Sequence, residues 1–276
     1  MSRQHGDEIA AGNRFGFGEN WARFLADFDE SRLAGAEQSL RDMLKLDSLA
    51  GKSFLDVGSG SGLFSLAARR LGARVHSFDY DPRSVACTCE LKRLFYANDP
   101  EWTVDEGSAL DTDYLASLGK FDVVYSWGVL HHTGDMDKAL VNVVPAVAQG
   151  GLLFIALYND QGPISRYWTL VKVAYNKNAV LRYLVIAFHA PYLFGLRWLV
   201  RALSGRAVLE RGMSLWRDMI DWLGGYPFEV ARPETIFRLF RDQGFALQEL
   251  RTCGGRMGCN EFVFRKAGGQ AAGLNP

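Results

Sequence analysis

Two acidic side chains on either side of a glycine-rich turn are the residues of this chain whose spacing points most directly to chemistry. Asp56 comes just before three alternate glycines, Gly58, Gly60 and Gly62, and Asp79 ends the next apolar run. Glycines at such a turn accept positive φ angles and let a ligand approach the backbone closely. A carboxylate at the carboxyl end of a parallel strand faces the ligand crevice, where it accepts hydrogen bonds from ribose hydroxyls. The pattern therefore predicts a site for a cofactor that contains a nucleoside.

The spacing of the glycines distinguishes between two classes of nucleoside cofactor. A dinucleotide site needs the pattern Gly-x-Gly-x-x-Gly, which brings a helix N-terminus to the pyrophosphate. Leu63 stands where the last of those glycines would be. Asp56 would also repel a pyrophosphate, whereas its charge suits a cationic ligand. We therefore expect a cationic nucleoside rather than NAD, and the alternative is a glycine turn in an unrelated α/β protein.

The segment from Asp56 to Gly62, followed by Asp79, resembles the first two motifs of the class I S-adenosylmethionine-dependent methyltransferases. The resemblance implies an α/β fold with a Rossmann-like, seven-stranded, mostly parallel sheet and an antiparallel last strand. It implies S-adenosyl-L-methionine, which carries an ammonium and a sulfonium, as cofactor. The residues expected at the cofactor are Asp56, Gly58, Ser59, Gly60, Gly62, Leu63, Asp79, Tyr80, Ser108, Ala109, Leu110, Ser126, Trp127 and, from an N-terminal lid, Trp21.

Some of these positions also have a purely structural interpretation. Ser108 and Ala109 lie in a segment that resembles the family's adenine-side loop, but Asp111 beside them equally suits the N-cap of a helix. Phe17 and Trp21 are four residues apart, so they could form one apolar helix face on the core instead of a lid. Both interpretations stay open from the sequence.

Two adjacent histidines, His131 and His132, are the candidate catalytic residues, because they follow the fourth predicted strand on the crevice side. Methyl transfer from a sulfonium needs chiefly proximity and orientation, and a general base helps when the acceptor is a hydroxyl. An ordinary histidine titrates near neutral pH and suits that role. The alternative is a packed histidine that shapes the pocket. Asp135 could orient the His132 ring or cap the next helix, and no residue cluster has convincing metal-ligand spacing.

Alternating strands and helices divide the chain into parts. The prediction has an N-terminal helical lid in residues 1–50, a core in 51–160 and 226–267, a helical cap in 161–225 after the fifth strand, and a flexible tail in 268–276. Within the core, we expect a helix from Met136 to Val147 and a buried strand from Leu152 to Tyr158. Gly150 and Gly151, between this helix and this strand, favour the end of the helix there.

The composition is that of an ordinary globular enzyme. The 276 residues are 48% hydrophobic and 22% charged, and 31 basic residues balance 31 acidic ones. A neutral chain argues against a nucleic-acid footprint over its whole surface. The polar N-terminus has no signal-peptide pattern, and the four cysteines fit reduced thiols better than a disulfide framework. We therefore expect a cytoplasmic protein, with peripheral membrane contact as an addition.

The inserted segment from Pro163 to Arg217 carries the information on the acceptor. It holds nine basic residues, one acidic residue and nine aromatic residues. Leu196, Leu199 and Leu203 recur at helical spacing, which is typical of an amphipathic helix. Its uncharged run of 14 residues is too short to span a bilayer, which takes about 20. The segment is either a cap over the cofactor domain or a surface for an anionic membrane, and the two are compatible for a lipid-like acceptor.

Four further residues are expected on the acceptor side of the pocket. Tyr158 and Asn159 end the fifth strand, while Tyr226 and Glu229 lie where the cap returns to the core. Turns without a role in binding are the alternative for both pairs. The leading hypothesis is transfer of a methyl group to oxygen or carbon of a small or lipid-like acceptor, as in the quinone-biosynthesis and natural-product methylases that the sequence resembles. A non-catalytic cofactor-binding module and an enzyme for RNA or protein acceptors are the other hypotheses; the oligomeric state stays unassigned.

Overall fold

A seven-stranded sheet forms the centre of the molecule. The computed structural model describes residues 2–18, 28–196 and 215–268. Its strands run in the order β3-β2-β1-β4-β5-β7-β6. They are β1 (Ser53–Val57), β2 (Arg74–Asp79), β3 (Trp102–Glu106), β4 (Phe121–Trp127), β5 (Val147–Tyr158), β6 (Phe245–Arg251) and β7 (Cys259–Lys266). The described helices are α1 (Ser2–Ala10), α2 (Glu30–Leu44), α3 (Leu63–Arg70), α4 (Pro82–Tyr96), α5 (Thr112–Leu118), α6 (Met136–Asn142), α7 (Pro163–Lys177), α8 (Ala179–Ala190), α9 (Leu215–Gly224) and α10 (Pro233–Asp242).

Five of the strands are parallel and adjacent, which brings their carboxyl ends to one edge. β1 lies between β2 and β4, β3 pairs with β2, and β5 pairs with β4. β7 is antiparallel to both β5 and β6. The order reverses between β1 and β4, and ligands of open α/β sheets bind at such a switch point. The predicted fold class is confirmed.

Helices cover both faces of the sheet because its central strands are buried on both sides. On one face, α2, α3 and α4 pack through residues such as Leu40, Leu66 and Leu91. On the other face, α5, α6 and α10 pack through residues such as Leu140 and Phe240. Helix α2 therefore belongs to the core layer, although it falls inside the predicted lid of residues 1–50.

The boundary between α6 and β5 differs from the prediction. The helix ends at Asn142 instead of Val147, and β5 begins at Val147 instead of Leu152. Phe121 donates its backbone N–H to the carbonyl of Ala146, and Val147 pairs in register with Phe121. Pairing with β4 thus overrides the helical pattern, and Gly150 and Gly151 lie within a strand rather than at a helix stop.

The described parts of the predicted insertion after β5, residues 161–196 and 215–225, are mainly helical. They comprise α7, α8, a π-helix from Pro191 to Leu196, and α9. A separate hydrophobic cluster holds them together, with Trp168, Tyr175, Met219 and Leu223 among its buried members. The amphipathic pattern predicted around Leu199 and Leu203 lies outside the described residues. Among the described helices, none combines the length and apolar character needed to traverse a bilayer.

Candidate active site

A cavity of about 1340 Å³ opens at the carboxyl ends of the parallel strands. Its walls come from the glycine loop after β1, the ends of β2 and β4, the N-terminal segment, and the cap. Ligand pockets commonly measure about 300–1,000 Å³, so this cavity has room for a cofactor together with an acceptor. The predicted site residues in its wall are Asp56, Gly58, Ser59, Gly60, Leu63, Asp79, Tyr80, Ser108, Ala109, Leu110, Trp127, His132 and Tyr158.

The glycine loop turns sharply between β1 and α3. Gly58, Gly60 and Gly62 have φ angles of 83°, 55° and 79°. A Cβ atom on Gly58 would lie 2.3 Å from Cγ1 of Val129, so no larger side chain fits there. Gly62 is the N-cap of α3 and lies outside the cavity wall. The loop thus borders the cavity at Gly58 and Gly60, and contact with a ligand there stays a prediction.

Asp56 is a buried carboxylate in the wall of the cavity, 2% exposed. Burial raises its pKa to about 7, with a smaller contribution from the nearby charge of Asp79, while the hydrogen bond from Ser65 opposes the rise. Within the described residues, no basic side chain forms an ion pair with it. A ligand ammonium placed against this carboxylate would restore its charge, so the site fits a cationic ligand.

Asp79 is held at the other side of the same loop. Its Oδ2 accepts a hydrogen bond of 2.8 Å from the N–H of Gly60, and its Oδ1 accepts one of 2.9 Å from the N–H of Asp81. Burial raises its pKa to about 6, against these backbone hydrogen bonds. Asp111 accepts from the N–H of Tyr114 and is the N-cap of α5, and it also borders the cavity. Both interpretations of Asp111 are therefore compatible with the structure.

The N-terminal segment crosses the mouth of the cavity. Arg14 donates to the carbonyls of His132 and Thr133, at 3.0 and 3.3 Å, and pairs with Glu8 at 2.6 Å. Its guanidinium also lies over the ring of Tyr80, 4.8 Å from the centroid. Residues 2–18 thus connect Tyr80, directly after β2, to the histidine loop after β4. Trp21, predicted for the same lid, lies outside the described residues.

His132 is in the cavity wall, but His131 is not. Nδ1 of His132 lies 2.6 Å from the carbonyl oxygen of Pro227, and burial lowers the pKa of the ring to about 3. His131 is fully buried, burial lowers its pKa well below the usual range, and its Nδ1 receives the N–H of Tyr158 at 3.4 Å. Asp135 caps α6 through the N–H of Lys138, so Pro227, not Asp135, orients His132.

Aromatic rings surround His132 in the cavity wall. Phe17 and Tyr158 lie 5.0 and 5.4 Å from it, measured between ring centroids, and Trp222 lies 5.4 Å from Tyr158. Asp221 borders the cavity beside Trp222. Sequence reasoning missed Trp222 and Asp221, because nothing in the sequence connects α9 to the loop after β4.

Lys172 is a further residue that sequence reasoning missed. The sequence analysis included it only among the nine basic residues of the insertion. In the structure, its side chain is fully buried beneath the rings of Trp222 and Phe228. Its ammonium donates to the carbonyl of Trp222 and lies 4.5 and 4.7 Å from the ring centroids of Trp222 and Phe228. Burial lowers its pKa to about 7, and Asp221 partly opposes that change.

Besides Gly62 and His131, four predicted site residues lie away from the cavity wall. Ser126 is fully buried and donates its hydroxyl to the carbonyl of Val57. Both carboxylate oxygens of Glu229 accept the N–H of Met136 at the start of α6, at 3.1 Å. Asn159 accepts a hydrogen bond from Asn260, and the carbonyl of Tyr226 accepts the N–H of Phe15. Their side chains or carbonyls support neighbouring segments in this structure, and contact with an acceptor stays a prediction.

Comparison with known proteins agrees with this geometry. Residues 28–250 match the family described as a methyltransferase domain. The chain belongs to that family. It is 33% identical over 150 residues to the ubiquinone biosynthesis O-methyltransferase of Brucella ovis, covering 50% of this chain and 55% of the relative. This chain therefore spans about half the length of the curated relatives that it matches.

Solved structures of the same fold extend over most of the chain. The magnesium protoporphyrin IX methyltransferase of Synechocystis with bound SAH has a TM-score of 0.53 and 13% identity, covering 90% of this chain and 95% of that one. The N-methyltransferase NodS of Bradyrhizobium japonicum in complex with S-adenosyl-L-homocysteine has a TM-score of 0.51 and 18% identity, covering 91% and 99%. The predicted methyltransferase family is confirmed, and its cofactor is S-adenosylmethionine.

Proposed function

We propose that this methyltransferase domain binds S-adenosylmethionine across Asp56 and Asp79 and transfers its methyl group to an apolar acceptor that carries a hydroxyl. The observation that carries the proposal is the pair of carboxylates in one cavity, Asp56 buried and Asp79 partly buried, with pKa values raised to about 7 and about 6. Asp56 would bind the ligand ammonium, and Asp79 would accept hydrogen bonds from the ribose. Tyr80 and the segment from Ser108 to Leu110 would flank the base.

The bound cofactor supplies a methyl group that is already activated on a sulfonium, so the chain has to orient the acceptor. Proximity and orientation are worth about 7–11 kcal/mol in well-placed reactions. His132 is the residue suited to orient a hydroxyl. Pro227 holds the hydrogen on Nδ1, which leaves the lone pair of Nε2 to accept a hydrogen bond from the acceptor. The name of the Brucella relative, an O-methyltransferase, supports oxygen as the methylated atom.

The acceptor side of the cavity favours an apolar or aromatic molecule. Phe15, Phe17, Tyr158 and Trp222 contribute rings to its wall, and Met219 adds a further apolar side chain. Such walls bind flat or aliphatic groups mainly through burial of apolar surface. The curated relatives are named for ubiquinone biosynthesis, and this name supports an acceptor of that kind. We therefore propose a small or lipid-like acceptor.

We further propose that the cap brings this acceptor from an anionic membrane. Large apolar side chains are exposed on α7 and α8, among them Leu170, Val180, Tyr183, Leu184 and Phe188, each at least 60% exposed. Exposed apolar patches of this kind are uncommon on monomeric proteins and accompany interaction surfaces. Residues 163–196 contain no acidic residue, while the basic residues Arg166, Lys177 and Arg182 lie among the exposed apolar ones. Tyr192 and Leu193 at the end of this hairpin also border the cavity.

Transfer of a labelled methyl group from S-adenosylmethionine into cell extract tests the proposal. We expect the label in the lipid or small-molecule fraction, with none above background in protein or RNA. Label in the macromolecular fraction would contradict the proposed acceptor class. Binding of the cofactor with no label in any fraction would favour the non-catalytic module instead.

A further inference from the structure

We infer that Trp102, Ser77 and Ser65 form an oriented chain of hydrogen bonds that positions the carboxylate of Asp56 and thereby sets the affinity for the cofactor. The inference rests on the proposed role of Asp56 in binding the ligand ammonium. None of the three residues borders the cavity, so each is a positioning residue that acts through Asp56.

The chain runs from β3 across β2 and α3 to β1. Nε1 of Trp102 donates to Oγ of Ser77 at 2.9 Å, and the hydroxyls of Ser77 and Ser65 lie 2.7 Å apart. The Ser65 hydroxyl lies 2.5 Å from Oδ2 of Asp56. All four side chains are at most 2% exposed, so solvent does not replace any of these contacts.

The chemistry of the donors determines the direction of the chain. An indole N–H only donates, so Ser77 is an acceptor at its first contact. Among the described residues, the other partner of the Ser77 hydroxyl is Ser65, and the other partner of Ser65 is Asp56. If Ser65 donated to Ser77, the Ser77 hydrogen would have no acceptor and Asp56 would lose its donor. Buried donors are nearly always satisfied, so each hydrogen points from Trp102 towards Asp56.

This direction determines which carboxylate oxygen of Asp56 binds the titrating proton. Oδ2 accepts from Ser65 in either protonation state, so the titrating proton occupies Oδ1. A ligand ammonium near this carboxylate competes with that proton, and binding of the ligand releases it. A hydrogen bond to an ionised group is worth about tenfold or more in an equilibrium constant, so the Ser65 hydroxyl favours the ionised form of Asp56 by about that factor.

Among the described residues, two other titratable groups lie next to Asp56. Asp79 lies at the end of β2, and its charge raises the pKa of Asp56. Tyr125 pairs in register with Asp56 from β4. The pKa of Asp79 is also raised, to about 6, so an Asp79→Asn variant is needed to separate its contribution from that of Asp56.

Calorimetric titration with S-adenosylhomocysteine between about pH 5 and about pH 9 tests the inference. For the wild-type protein, we expect the affinity to fall about tenfold per pH unit below pH 7 and a proton to be released on binding. In Ser65→Ala, the midpoint, meaning the pH below which the affinity begins to fall, should be higher by about one unit or more. Trp102→Phe, which removes only the terminal donor, should move it in the same direction by less.

The matched control is Ser53→Ala. Ser53 lies on the same strand as Asp56 and also donates its hydroxyl to a carboxylate, that of Asp122 at 2.8 Å, but at the opposite end of β1. The midpoint measured for the Ser53→Ala variant should equal that of the wild-type protein. A Ser65→Ala midpoint equal to the wild-type one would overturn the inference while leaving the proposed function intact. Failure of the wild-type protein to bind the probe at any pH would overturn the proposed function, and the inference with it.

Discussion

Nδ1 of His132 and the carbonyl oxygen of Pro227 lie 2.6 Å apart, and this contact determines which ring nitrogen is available to an acceptor. A carbonyl oxygen only accepts, so Nδ1 carries the hydrogen and Nε2 keeps its lone pair. Because burial lowers the pKa of His132 to about 3, the ring is neutral throughout the physiological range.

His132→Ala should lower kcat by about 10²-fold or more, because the acceptor hydroxyl loses its hydrogen-bond partner. The affinity for S-adenosylhomocysteine should stay unchanged, and His132→Gln should lose less, since its amide oxygen also accepts. The wild-type kcat should show no step from His132 between about pH 5 and pH 8. A step near pH 6.5 that disappears in His132→Ala would show that the ring titrates and would contradict this account.

Lys172 should make the free energy of unfolding depend on pH. Its pKa is lowered to about 7 in the folded protein, whereas an unfolded lysine titrates near 10.4. Between these values the unfolded chain binds more protons, so stability should rise with pH, by up to about 1.4 kcal/mol per unit. Urea unfolding of Lys172→Met between about pH 7 and pH 9 should lack this rise.

Lys177→Met is the control for that measurement, because Lys177 lies on the same helix but is exposed. It should keep the wild-type dependence on pH. If Lys172→Met and the wild type had the same slope, the buried lysine would not be the source of the effect.

Arg14 should slow the release of ligand by fastening the N-terminal segment over the cavity. Arg14→Met removes the hydrogen bonds to the carbonyls of His132 and Thr133 together with the ion pair to Glu8. Bonds to a charged donor are worth about 1.5–3 kcal/mol each, so dissociation of S-adenosylhomocysteine should become about tenfold faster or more in stopped-flow measurements. Arg3→Met, an exposed position on α1, should leave the rate unchanged. Equal dissociation rates for both variants and the wild type would show that Arg14 does not slow the release of the ligand.

The exposed face of α8 should determine binding to anionic vesicles. Leu184→Ser combined with Phe188→Ser removes two side chains that are 60% and 76% exposed. Burial of each is worth about 1.5–3 kcal/mol, so co-sedimentation with anionic liposomes at low salt should weaken by at least about tenfold. Leu94→Ser provides the control, because Leu94 is 56% exposed on α4, outside the cap. Equal loss in the control, or no retention of the wild-type protein, would contradict the membrane proposal.

The glycine-loop side of the cavity, proposed to bind the cofactor, was predictable because residues close together in the sequence specify it. The strand, the glycine turn and the following helix are specified by residues 53–70, and Asp79 ends the next strand as predicted. Positive φ at Gly58 and an acidic residue two positions earlier need no knowledge of distant contacts. The sequence therefore indicates both the loop and the kind of ligand that suits it.

The histidine side of the cavity, proposed to bind the acceptor, depends on contacts between distant segments. Arg14, His132, Lys172 and Trp222 come from four parts of the chain, and no periodicity relates them. Lys172 has the sequence context of a surface lysine, and only the packing of α7 against α9 buries it. Glu229 has the type of a ligand-binding residue, yet it serves the N-terminus of α6. Burial and helix capping decide these roles, and neither is visible in residue type alone.

Calorimetry with S-adenosylhomocysteine and NAD, run in parallel on the wild-type protein and on Asp56→Asn, tests the central claim most directly. The carboxylates of Asp56 and Asp79 should select the ligand that carries an ammonium and reject the one that carries a pyrophosphate. We predict saturable binding of S-adenosylhomocysteine, at least about tenfold weaker in Asp56→Asn, and no binding of NAD. Binding of NAD alone, or equal affinity of both proteins for S-adenosylhomocysteine, would contradict the account.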